Sequence, residues 1–68
     1  MIKLFRDTSK ESDEAVALLK EAHIDYAQIY TDTYNEPRLL VPDEAYSYKG
    51  IKEITQYVKY NETLKNIL

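Results

Sequence analysis

Apolar and polar positions alternate from Ile2 to Phe5, recur at spacings of three and four from Ala15 to Ala22, and alternate again from Asp25 to Thr31. The first run predicts a short strand with Ile2 and Leu4 on one face and Lys3 and Phe5 on the other. Ala15, Val16, Leu18, Leu19 and Ala22 form one stripe of a helix whose remaining positions, Lys10, Glu11, Asp13, Glu14, Lys20 and Glu21, are charged. Thr8 followed three residues later by Glu11 is a capping-box pattern, so the helix is expected to start there. No Gly or Pro follows His23, and its end rests on the change of period alone. In the third run Tyr26, Gln28 and Tyr30 oppose Ala27, Ile29 and Thr31, with the aromatic and β-branched content of a strand. Strand, crossover helix and strand together predict a parallel βαβ unit.

Asp32 to Glu36 is a short polar connection, after which Pro37 opens the run Leu39-Leu40-Val41. Pro42-Asp43-Glu44 is turn chemistry and Tyr46-Ser47-Tyr48-Lys49 alternates again, which predicts a hairpin. Gly50 then leads into a helix with Ile51, Ile54, Tyr57 and Val58 at helical spacing. Leu64, Ile67 and Leu68 extend its stripe beyond Asn61, where the helix is expected to break or to recap for a final turn. The order is β-α-β-β-β-α, an α/β chain read as one domain over residues 1–68, without repeat, linker or low-complexity segment.

Composition narrows what such a domain can do. A chain of 68 residues buries only about 60% of its unfolded surface on folding, and its core must stand without disulfides, because Cys is absent. A single His cannot hold a structural zinc, and no cofactor is expected. Nine basic and twelve acidic residues give a net charge of −3 without runs of one sign, which argues against nucleic acid as a partner. Met1 to Asp7 is too short and too charged for a signal peptide, and no apolar run reaches the roughly 20 residues of a membrane span. The expectation is a soluble, cytoplasmic protein with no membrane partner.

Individual residues that could carry chemistry mostly read as structure. Ser9 and Ser12 are ordinary residues for a helix N-terminus. His23 has no nucleophile placed beside it by spacing. Asp13-Glu14 and Asp43-Glu44 point in divergent directions or lie in a turn, so they read as solvated surface rather than as an acid/base couple or metal site. Asn61-Glu62-Thr63 matches a glycosylation sequon by chance, given no secretory signal.

Nearly the whole chain nevertheless resembles the thioredoxin superfamily, and glutaredoxins most closely. The resemblance is carried by Ile2-Lys3-Leu4-Phe5, by Ala15 to Glu21 with His23-Ile24-Asp25-Tyr26, and by Glu36-Pro37-Arg38-Leu39-Leu40-Val41 through Tyr48-Lys49-Gly50-Ile51-Lys52-Glu53-Ile54. It implies a thioredoxin-like fold, with the family's two cysteines falling at Ser9 and Ser12. Thiol–disulfide exchange needs a thiolate, which serine cannot supply, so no enzyme is expected. By the same resemblance Pro37 aligns with the family's cis-proline, in preference to Pro42, and Glu36 with the residue that offers backbone groups to substrate. Ser9, Ser12, Glu36 and Pro37 are thus vestigial active-site positions.

Two departures follow from the same comparison. Asp32 to Glu36 is too short for the helix the family places before its cis-proline, so the three-layer fold is expected to be reduced to two layers, with a four-stranded mixed sheet and both helices on one face. The family's glycine and aspartate residues that help hold glutathione are reduced to Gly50 followed by Ile51-Lys52-Glu53. Seven tyrosines are many for this length, and the open face is expected to carry Phe5, Tyr26, Tyr30, Tyr46 and Tyr48 as an aromatic interaction surface. The chain is therefore expected to be a redox-inert, glutaredoxin-like interaction module, homodimeric through that face or bound to another protein. The competing expectation is an enzyme-like site for a small ligand or thiol compound at the Ser9–Ser12 helix N-terminus and the Pro37 loop.

Overall fold

A computed structural model describes the backbone of residues 1–67 and the side chains of residues 1–63. Its elements follow the order β1 (Lys3–Arg6), α1 (Lys10–Glu21), β2 (Ala27–Tyr30), β3 (Arg38–Leu40), β4 (Tyr48–Lys49) and α2 (Gly50–Ile67). The strands make one open, mixed sheet in the order β2-β1-β3-β4. β1 pairs parallel with β2 and antiparallel with β3, which in turn pairs antiparallel with β4. The molecule is an α/β domain, and its strand and helix types agree with the periodicities above.

Both helices pack on one face of the sheet through a single cluster. Leu4 and Leu39 supply the strand side, Ala15, Leu19 and Ala22 come from α1 and its cap, and Ile54 and Val58 come from α2. Leu4 pairs with Gln28 on one side and Leu39 on the other, and Leu39 pairs with Tyr48, so these residues share the helix side.

Local chemistry sets the ends of α1. Its N-cap is Ser9 rather than Thr8, with Ser9 Oγ accepting from the Ser12 N–H at 3.2 Å. Glu11 does not reach back as a capping box would; its Oε2 accepts from the Ile51 N–H at the start of α2, 3.2 Å away. At the other end His23 adopts φ 56°, the left-handed conformation usually left to glycine. The His23 N–H donates to Lys20 O and the Ile24 N–H to Leu19 O, both at 3.1 Å, and Ile24 is buried in the same cluster as Leu19. This is a Schellman end, and His23 stops the helix without Gly or Pro.

The remaining boundaries shift by a residue or two. β3 begins at Arg38 and ends at Leu40, short of Val41. The expected turn forms, with the Glu44 N–H donating to Val41 O at 3.0 Å and Pro42 in its second position. Tyr46 and Ser47 lie outside β4, which holds only Tyr48 and Lys49. Helix α2 runs through Asn61 without a break or a recap. Leu64, Ile67 and Leu68, expected to extend its apolar stripe, lie outside the described side chains.

Candidate functional site

Ser9 and Ser12 on one side and Glu36 and Pro37 on the other are linked through Glu11 and Gly50 near one end of the sheet. Ser9 and Ser12 start α1, and α1 brings Glu11 to the first residue of α2. Pro37 O accepts from the Gly50 N–H at 2.8 Å, which ties the residue after Glu36 to the same corner. Gly50 has φ +78°, and a Cβ there would stand 3.0 Å from Glu36 Oε2 and 3.5 Å from Glu11 Oε2. Only glycine fits that backbone and that spacing without strain.

What the corner offers chemically is set by its own acids. Ser12 is fully buried; its hydroxyl donates to Asp7 Oδ1 at 2.9 Å and accepts from the Asp7 N–H at 3.2 Å. Asp7 Oδ1 also accepts from the Ser9 N–H at 2.9 Å. The Ser9 hydroxyl, the Ser9 N–H and the Ser12 hydroxyl hold the Asp7 carboxyl down at about 2, because hydrogen bonds to the charged form favour it. The two serines are thus occupied by a carboxylate of their own chain. The start of α2 is likewise satisfied internally, with Glu11 on the Ile51 N–H and Glu53 Oε1 accepting from the Lys49 N–H at 3.0 Å. The depression beside this corner, lined by Asp7, Thr8, Tyr30, Thr31 and Asp32, adds another carboxylate. Asp7 and Asp32 line that depression, Glu11 and Glu36 flank Gly50, and the neighbouring cation Arg6 is paired with Asp13, so the surroundings disfavour an anion. All peptide bonds among the described residues are trans, so Glu36–Pro37 lacks the cis geometry that the resemblance implies.

The sheet has its uncovered side, but not with the expected occupants. Phe5 pairs with Ile29 on β2 and with Arg38 on β3, and Arg38 pairs with Lys49 on β4; Lys3 pairs with Ala27 and Leu40. These residues face away from the helices. Tyr30 pairs with Arg6, whose parity is that of buried Leu4, so Tyr26 and Tyr30 belong to the helix side. Tyr26 packs against the core cluster, as does Tyr48, whose ring lies 4.9 Å from that of Tyr57. Tyr46 is exposed in the loop before β4. The platform of Phe5 with Tyr26, Tyr30, Tyr46 and Tyr48 therefore does not form, because register places Phe5 on the opposite face from three of the four tyrosines.

The open side carries instead a group the sequence reading did not single out. Tyr34, from the connection before Pro37, folds over Phe5 edge-on with ring centroids 5.9 Å apart. The Arg38 guanidinium stacks on the Tyr34 ring at 3.8 Å. Arg38 was detectable as a strand residue out of phase with Leu39, but Tyr34 carried no periodic signal. A second missed cation, Arg6, is buried at the end of β1, 4.8 Å from the Tyr30 ring and 2.7 Å from Asp13 Oδ1.

No family model, curated protein or solved structure matches this chain. Among the described residues no cluster of His, Asp or Glu could hold a metal ion, and no helix is long and apolar enough to cross a membrane.

Proposed function

We propose that this chain is a redox-inert, thioredoxin-like interaction module whose working surface is the open face of the sheet. The observation that carries the reading is the contrast across one strand: Leu39 is fully buried beneath the helices, whereas Leu40 beside it is 38% exposed. The half-buried Phe5 and Ile29 lie on the same face, and apolar surface gathered on one face in this way marks interaction sites. The element order and the placement of both helices on one face support the thioredoxin-like assignment.

Ligand binding at the serine corner is the weaker reading. Asp7 already occupies both serines, and the carboxylates around Gly50 oppose glutathione or phosphate. A homodimer through the open face is the alternative occupant of the same surface.

Selection of a random peptide library on the folded chain tests the proposal. Enriched peptides should lose binding to an Ile29→Lys/Leu40→Lys variant and keep it for Ser9→Ala/Ser12→Ala. No enrichment, or enrichment sensitive only to the serine variant, would refute it.

A further inference from the structure

The open face is not simply apolar; it is polarised. No residue of the four strands is acidic, and the strand cations on this face are Lys3, Arg38 and Lys49. The acidic residues that give the chain its net charge of −3 lie on the helices and in the loops. Arg38 and Lys49 pair directly across β3 and β4, an arrangement of like charges that disfavours the ladder unless an anion lies between them. Among the described residues Arg38 has no ion pair or hydrogen bond, and its Nε is buried without a partner. Stacking on Tyr34 holds its guanidinium in place. Tyr34 in turn rests on Phe5, so a preset cation adjoins the apolar strip. A depression of about 420 Å³ opens beside the pair, walled by Ala45, Tyr46 and Ser47. One carboxylate, Glu53, also lines the depression and accepts from the Lys49 N–H, and the three strand cations outnumber it on this face.

We infer that this face docks a short acidic peptide segment of a protein partner, with a carboxylate held by Arg38 and Lys49 and flanking apolar side chains on Phe5, Ile29 and Leu40. The inference rests on the open face being the working surface. A guanidinium with a fixed plane and free N–H groups suits a carboxylate, which it binds through two parallel hydrogen bonds. In an extended peptide, side chains two positions apart share a face, so a glutamate with apolar residues two positions away on either side presents both to the one face that carries Arg38, Phe5 and Leu40. Nucleic acid fits less well, because three cations on a chain of net negative charge release few counterions.

The test is a titration of the intact chain, followed by amide shifts, with the peptide acetyl-Leu-Ser-Glu-Ser-Leu-amide, whose glutamate and leucines share one face when extended. Parallel titrations use its Gln and Lys counterparts and a short oligothymidylate. The glutamate peptide should shift Phe5, Ile29, Arg38 and Leu40, weaken with added salt, and bind about tenfold more tightly than the Gln peptide, the usual scale for a hydrogen-bonded charge. Arg38→Gln should lose a similar factor, as should Lys49→Gln if Arg38→Gln unfolds in a thermal melt, whereas Ser9→Ala should lose none. Equal affinity for the Gln peptide, preference for the Lys peptide or oligothymidylate, or shifts centred on Thr8–Ser12 would overturn it. Silence towards every peptide here, with face-dependent neutral peptides enriched from the library, would overturn this inference alone. Silence in both would overturn the open-face reading with it.

Discussion

Leu39 and Leu40 are chain neighbours with the same side chain, yet one is fully buried under two helices and the other is 38% exposed. The difference is one step of strand alternation, and it separates the side of the sheet that holds the fold together from the side that is left free. On the helix side Leu4, Leu19, Leu39 and Ile54 are fully buried against one another's elements, and the edge residue Tyr30 is left exposed. On the other side Tyr34 lies against Phe5 and carries the Arg38 guanidinium on its ring. A small domain without disulfides or metal cannot readily spare apolar surface from its core. Leaving Leu40 exposed and Ile29 only half-buried therefore calls for a use.

The sharpest way to break this comparison is to truncate each leucine in turn. Leu39→Ala should destabilise the fold by about 2–5 kcal/mol, comparable with the entire core of roughly 3–5 kcal/mol expected at this size, so much of the chain should unfold in a denaturant titration. Leu40→Ala should stay within about 0.5 kcal/mol of the parent. Similar losses at both would mean that the open face is a second core. Gly50→Ala comes next, with a loss of about 1–2 kcal/mol for forcing a side chain into a left-handed backbone, read by the same titration. Ser9→Ala should cost about 1 kcal/mol through the lost cap of α1, with no effect on peptide binding.

Why the two faces were only half legible follows from where the information lies. Alternation along one strand is local, so Tyr26 and Tyr30 were correctly grouped with each other. Whether they share a face with Phe5 depends on register between strands, and pairing Phe5 with Ile29 rather than Tyr30 reverses the answer. Tyr34 lay in a connection with no periodicity, and its role depends on Phe5 and Arg38, which are distant or out of phase in sequence. The helix periods were plain, but Thr8 and Ser9 are adjacent hydroxyl residues and only the backbone decides which one caps. The spacing from Thr8 predicts a local cap at Glu11, whereas the bond it makes is tertiary, to Ile51 forty residues away. At the serine corner the absence of cysteine excludes a disulfide, which the sequence shows directly, whereas the occupation of both serines by Asp7 needs the fold.

The smallest effects are the pH-dependent ones. Asp7 is held at about 2 against an ordinary 3.8, so its stabilising contribution is present above 3.8 and is lost as pH falls through about 2. A carboxyl carbon titration should find Asp7 among the last acids to protonate, and Ser12→Ala should move its midpoint upward. Tyr48 behaves in the opposite sense. Its hydroxyl donates to Glu44, which with burial raises it to about 12, so its contribution is present below 10 and is lost as pH rises through 12. Absorbance at alkaline pH should show Tyr48 ionising late, and Glu44→Gln should bring it earlier.

The most direct measurement of the central claim is paramagnetic relaxation of methyl groups by a soluble nitroxide, read from dilute to concentrated samples. The account predicts strong relaxation at Ile29 and Leu40, little at Leu4 and Leu39, and no change with concentration. Protection of Ile29 and Leu40 equal to that of Leu39 in the dilute chain would contradict it, because the face proposed to receive a partner would then already be covered.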